Sequence, residues 1–221
     1  MWGSPRAWAT RGLTLNREDT GWHGTHGLHF ILGHACRSPP TLPSQQIMTD
    51  YQRANALGKE ALNLWGLGHL EDAADRYSRA ITLIDADQPG AAYFHGSLAG
   101  VLKDLGRHIE ATVQYERALQ AELAQSDSEA DSSVKVARHF LAEHLASQGE
   151  AAKALEVLAP SVSALPNDWL VRSTQALALF SLGRVAEARA AAEHAVANAG
   201  SESKREQLVI HLQAVFGAGN D

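Results

Sequence analysis

The stretch that decides the fold is Leu67-Gly68-His69-Leu70-Glu71-Asp72-Ala73. It returns as Leu105-Gly106-Arg107-His108-Ile109-Glu110-Ala111, as Gln148-Gly149-Glu150-Ala151-Ala152-Lys153-Ala154 and as Leu182-Gly183-Arg184-Val185-Ala186-Glu187-Ala188. The glycines lie 38, 43 and 34 residues apart. After each phrase the small Ala is followed by a residue four places on and a small residue three further. These triplets are Ala73/Tyr77/Ala80, Ala111/Tyr115/Ala118, Ala154/Leu158/Ser161 and Ala188/Ala192/Ala195. Spacings of i, i+4 and i+7 stack on one face of a helix. Each phrase also follows an apolar stretch with Ala seven places before the glycine, at Ala61, Ala99, Ala142 and Ala176, and Leu64, Leu102, Leu145 and Leu179 continue the pattern.

The reading is helix, tight turn, helix, four times over. Glycine ends each first helix because it takes the left-handed conformation at little cost. The Ala positions mark close helix crossings, where a larger side chain would overpack by about 1–3 kcal/mol. Each pair leaves an apolar face that only a stacked neighbour can bury. Thr49 with Gln52 forms a capping-box pattern before the first helix, and Ser203 with Glu206 forms another before a last helix bearing Leu208, Leu212, Val215 and Phe216 on one stripe. The final residues, Gly217 to Asp221, are expected to fray.

Around this core the rest of the sequence sets limits. The 221 residues are 45% hydrophobic and 20% charged, an ordinary globular balance. Nineteen Lys and Arg against 25 Asp and Glu leave a net charge of −6, with no block of like charge, which argues against nucleic acid as a partner. No run of about 18 apolar residues exists, so no membrane partner is expected. The single cysteine, Cys36, excludes an intrachain disulfide.

Residues 1–47 differ in kind. They hold three of the five Trp and six of the 18 Gly, and carry a net +2. Ser38-Pro39-Pro40 and Leu42-Pro43 would break any helix there. Leu28 to Leu32 is too short for the core of a secretory signal and contains His29. The segment is expected to be an irregular or disordered extension, with Met48 as the biological start. His23, His26, His29, His34 and Cys36 cluster in it, but their spacing fits no zinc pattern and nothing nearby frames them, so no metal is expected.

Helix, glycine turn and helix with these small residues resembles the tetratricopeptide repeat (TPR) family, whose units follow W-x2-L-G-x2-Y, then A-x3-F, then P over 34 residues. The resemblance covers about residues 54–200. It departs from the pattern at the Trp position, which holds Leu57, His95, Arg138 and Arg172, and in the closing proline, present only as Pro166. The first two intervals exceed 34, in the manner of kinesin light chain repeats, and Ser126 to Ser133 reads as a linker.

The resemblance implies an all-α fold, a right-handed α-α superhelix of antiparallel helix pairs. Residues 48–221 would form one TPR domain, with repeats at about 54–88, 92–131, 135–168 and 169–200 and a capping helix at about 203–216. It also implies a noncatalytic scaffold that binds a peptide or protein in a concave groove; a cytoplasmic location is expected from the lack of an export signal. Of the positions that line such a groove, Asn55, Leu62, Trp65, Tyr93, Lys103, His139, Glu143, Leu170, Leu177 and Phe180 are the expected contacts. Gly58, Gly66, Gly96 and Gly100 would let a partner backbone approach. The carboxylate clamp of chaperone-binding TPR domains is expected to be absent, because its positions hold Gly58, Leu62, Ser97, Val136 and Phe140, none of which offers a charged donor.

No catalytic signature accompanies the repeats: G-x-S-x-G, H-E-x-x-H, the P-loop and the dinucleotide glycine fingerprint are all missing from the sequence. His139 and His144, five apart, face different ways and read as surface or groove residues. No cofactor and no enzymatic activity are expected. The alternative to a peptide-binding scaffold is self-association into a homo-oligomer, or a place as an accessory subunit.

Overall fold

The computed structural model describes residues 49–85 and 88–217. The N-terminal extension, with its His and Cys cluster and the proposed start at Met48, lies outside them, as do residues 218–221. Nine helices and no strand occur among the described residues. They are α1 Asp50–Leu67, α2 Leu70–Ile81, α3 Ala91–Asp104, α4 His108–Gln125, α5 Ser132–Ser147, α6 Ala151–Ala164, α7 Trp169–Ser181, α8 Val185–Ala197 and α9 Glu202–Gly217. Helices α1 to α8 form four hairpins, each first helix packing on its own second helix and on that of the hairpin before it, and α9 packs on α7 and α8.

One turn is used four times. Gly68, Gly106, Gly149 and Gly183 sit at φ values of 86°, 74°, 81° and 73°. In each case the amide of the glycine reaches the carbonyl three residues back, as Gly68 does to Trp65 at 3.1 Å. The next amide spans five: His69 to Leu64, Arg107 to Leu102, Glu150 to Leu145 and Arg184 to Leu179, at 2.8–3.0 Å. This pair of bonds satisfies carbonyls that a helix end leaves open, and it requires the left-handed residue. The carbonyl of the residue after each glycine then starts the second helix, as His69 does by accepting from Ala73.

The small residues sit where the helices cross. Ala61, Ala73, Ala99, Ala111, Ala142, Ala154, Ala176 and Ala188 are all fully buried. Tyr77, Tyr115 and Leu158, on the second helices of the first three hairpins, are buried as well. In the last three units the position that the repeat pattern reserves for Trp is filled by polar groups that bring their own partners. Nδ1 of His95 lies 2.7 Å from Oε1 of Gln114 on α4. Buried Arg138 donates to the Val157 carbonyl on α6 and to both oxygens of Glu129 in the preceding linker. A buried guanidinium persists only when its donors are met in this way.

The added length of the first two units has two origins. The first is lengthened in its connection to α3, whereas the second combines an 18-residue α4 with a linker that ends at Asp131, so that Ser132 and Ser133 already belong to α5. Thr49 and Gln52 form the reciprocal cap. At the other end the cap falls two residues earlier than the Ser203/Glu206 pattern suggests. The hydroxyl of Ser201 accepts from the Lys204 amide, and its carbonyl from Arg205. Helix α6 also runs through Pro160, a residue that denies the helix one amide donor.

Candidate protein-binding face

The first helices α1, α3, α5 and α7 follow one another along one face, and side chains join them across the gaps. The indole Nε1 of Trp65 donates to Oδ2 of Asp104 at 2.7 Å, linking α1 to α3. Nδ1 of His139 lies 2.7 Å from Oγ1 of Thr174, linking α5 to α7. Lys135 donates to Oδ2 of Asp168 at 2.7 Å, while Oδ1 of the same carboxylate caps α7 through the amides of Leu170 and Val171.

These contacts divide the ten expected contact residues. Trp65 is 1% exposed and belongs to the core, so it is a packing residue that cannot be offered to a partner without opening the α1–α3 contact. Truncating a buried Trp costs about 3–5 kcal/mol. Phe180 is half-buried, with its ring 4.7 Å from that of Phe216 on α9, so the capping helix covers it. Leu177 is half-buried in the same cluster. Asn55, Leu62, Tyr93, Lys103 and Leu170 are each half-buried on their first helices. His139 and Glu143 stand together one turn apart on α5, Nε2 to Oε2 at 3.7 Å, the Glu143 side chain being 41% exposed.

Two expectations need correcting. Gly58 does not open space for a partner backbone: a Cβ there would lie 2.6 Å from Cε1 of Phe94, so the glycine is there to let α3 pack on α1. His144 is not a surface residue. It is 1% exposed, and its Nε2 lies 3.1 Å from both the His108 carbonyl and Oγ1 of Thr112 on α4. A carbonyl only accepts, so Nε2 carries the proton. The Tyr115 ring packs 5.3 Å away, and Nδ1 is buried without a partner. Burial therefore holds the His144 imidazole below its usual pKa. Burial also lowers His95 and His211, and raises the Tyr115 phenol, which Glu143 and Asp104 push in the same direction.

Sequence reasoning did not pair Trp65 with Asp104 or His139 with Thr174, each partner being supplied by a different helix from the residue it meets. Among the described residues no group of three or more His, Cys, Asp or Glu converges as metal ligands would, and no helix is long and apolar enough to cross a membrane.

Residues 135–160 and 169–194 match the family model of the tetratricopeptide repeat, on α5–α6 and α7–α8. No curated protein matches the sequence. Among solved structures, the chain is similar to a Podosopora anserina kinesin light chain with nearly identical TPR-like repeats. The TM-score is 0.62, with 16% identity over 70% of this chain and 79% of that one. It is also similar to MamA, with a TM-score of 0.54 and 19% identity over 70% of this chain and 81% of that one. MamA from Desulfovibrio magneticus RS-1 gives 0.54 and 17% over 73% and 84%. At these identities the likeness is one of fold. Together with the four glycine-closed hairpins, these matches show that the chain carries tetratricopeptide repeats at residues 135–160 and 169–194 and has the fold of a TPR-like solenoid.

Proposed function

We propose that this protein is a noncatalytic, cytoplasmic scaffold whose concave face, built from α1, α3, α5 and α7, receives an extended or helical segment of another protein. TPR proteins generally serve as interaction scaffolds. The observation that carries the reading is the cross-bracing of successive first helices by Trp65–Asp104 and His139–Thr174, which gives a preorganised row of side chains. Preorganisation lowers the ordering cost of binding. Along that row Asn55, Leu62, Tyr93, Lys103, His139, Glu143, Leu170 and Leu177 are the contact residues we assign, with Trp65 and Phe180 supporting them from beneath.

The charged members make the test clean, because Lys103 and Glu143 keep part of their side chains in water and their reversal does not open the core. Affinity purification from the native cell with wild type and with a Lys103→Glu, Glu143→Lys double variant should show partner yield falling about tenfold or more, with the melting temperature within a few degrees of wild type. Recovery of the same partners in the same yield would sink the assigned face.

A further inference from the structure

Helix α9 lies along α7 from its first residue to its last turn. Nζ of Lys204, at the start of α9, stands 4.7 Å from the ring centre of Trp169, where α7 begins. At the far end the rings of Phe216 and Phe180 meet with centroids 4.7 Å apart. Leu208 and Leu212, the two buried residues of α9, lie between these ends and share one apolar cluster with Leu177 and Phe180. Lys204, Leu208, Leu212 and Phe216 recur every four residues, which puts them on one face of the helix. The two helices therefore run parallel for about three turns.

The repeat register assigns Leu177 and Phe180 to the concave face, so a helix of the chain itself covers the last part of that face. Burial lowers the pKa of His211 on α9, and the charge of Glu143 on α5 opposes that shift, so the field of another assigned contact also reaches α9. The covering helix is thinly held. It buries two of its sixteen residues, whereas α7 beneath it buries six of thirteen. Helices α5, α6 and α8 all pack on α7 independently of α9. A helix laid by one apolar stripe on groove residues is also the way one protein captures a helix of another.

We propose that α9 is a displaceable occupant of the concave face, and that the partner is a helix of the same pattern which takes its place: apolar residues at i, i+4 and i+8, with a basic residue one turn ahead. This rests on the concave-face reading, which makes Leu177 a contact and Phe180 its support. Release of α9 uncovers both, together with Trp169, while α7 and α8 stay folded. Competition then sets the affinity. Only residues 198–201 join α8 to α9, so α9 competes at an effective concentration on the order of 1 mM. A free peptide of α9 that binds the open face with a dissociation constant of about 10–100 μM is thereby weakened about 10- to 100-fold.

Fluorescence anisotropy with a labelled synthetic peptide of residues 201–217 tests this on the full chain, beside a variant, Leu208→Ser with Phe216→Ala, that loosens α9 in place. The peptide should bind the variant, and bind wild type about 10- to 100-fold more weakly but measurably. In wild type the amide exchange of α9 should rise on binding while α7 and α8 stay protected. A peptide carrying Phe216→Ala should bind about tenfold more weakly or worse. Lys204→Glu removes the contact over Trp169 without touching a buried residue, and it replaces the double variant should circular dichroism show that one unfolded. Binding to the loosened chain with none to wild type makes α9 a fixed cap and overturns the proposal. Binding to neither overturns it as well. Equal binding to both, or indifference to Phe216→Ala in the peptide, puts the peptide elsewhere, and loss of α7 protection along with α9 means that the two open as one unit. No native partner takes part, so failure here leaves the concave-face reading standing, and the Lys103→Glu, Glu143→Lys purification judges that reading separately.

Discussion

His144 shows what one buried side chain costs in acid. Its ring is held neutral between α4 and α5 by burial, and it faces Lys103, His108 and Glu143. A histidine whose folded pKa lies below its unfolded value of 6.5 binds fewer protons folded than unfolded, so acidification through that window favours unfolding. The melting temperature should therefore fall as pH drops from about 7 toward about 5. His144→Phe keeps an aromatic against Tyr115, and the His108 carbonyl retains the Thr112 hydroxyl as donor at 3.1 Å. That variant should lose about 1 kcal/mol at neutral pH and show a shallower acid slope, with the remainder arising from His95 and His211. Melting curves at four pH values check this, and an equal or steeper slope in the variant would refute the role given to His144. The spacing of His139 and His144 tells that they point differently, and so they do. Which of them is swallowed is decided by His108 and Thr112 on the next helix over, and no local pattern encodes that. Gly58 is the same lesson: its neighbour is Phe94, and the repeat register assigns a face without naming who reaches it.

At the scale of elements the sequence was far more readable. Turn glycines, crossing alanines and the Thr49 cap follow from short-range geometry, and each helix lies where period and punctuation place it. What escaped was the cap at Ser201, a local bond to the Lys204 amide, and the passage of α6 through Pro160. Two substitutions separate turn from crossing. A Cβ on Gly106 would meet nothing within 4 Å, so Gly106→Ala carries only the penalty of φ 74°. That is about 1–2 kcal/mol, or a fall of roughly 2–8 °C. Ala111→Leu, five residues later, has no space at a fully buried crossing and should lower stability by about 1–3 kcal/mol or more. Thermal denaturation of both measures this; an unchanged midpoint for Ala111→Leu would mean that the crossing register is wrong.

Stability in a stacked array is a sum over neighbours, so its distribution follows the burial along the stack. Helix α3 buries eleven of its fourteen residues, with second helices on both sides and α1 beneath. Helix α9 buries only Leu208 and Leu212 of sixteen, and among the described residues α7 and α8 are the helices that pack on it. Amide hydrogen exchange should thus be slowest in α3 and α4, opening only with the whole molecule, and fastest among the helices in α9, through local release. Uniform protection along the chain would contradict nearest-neighbour stacking.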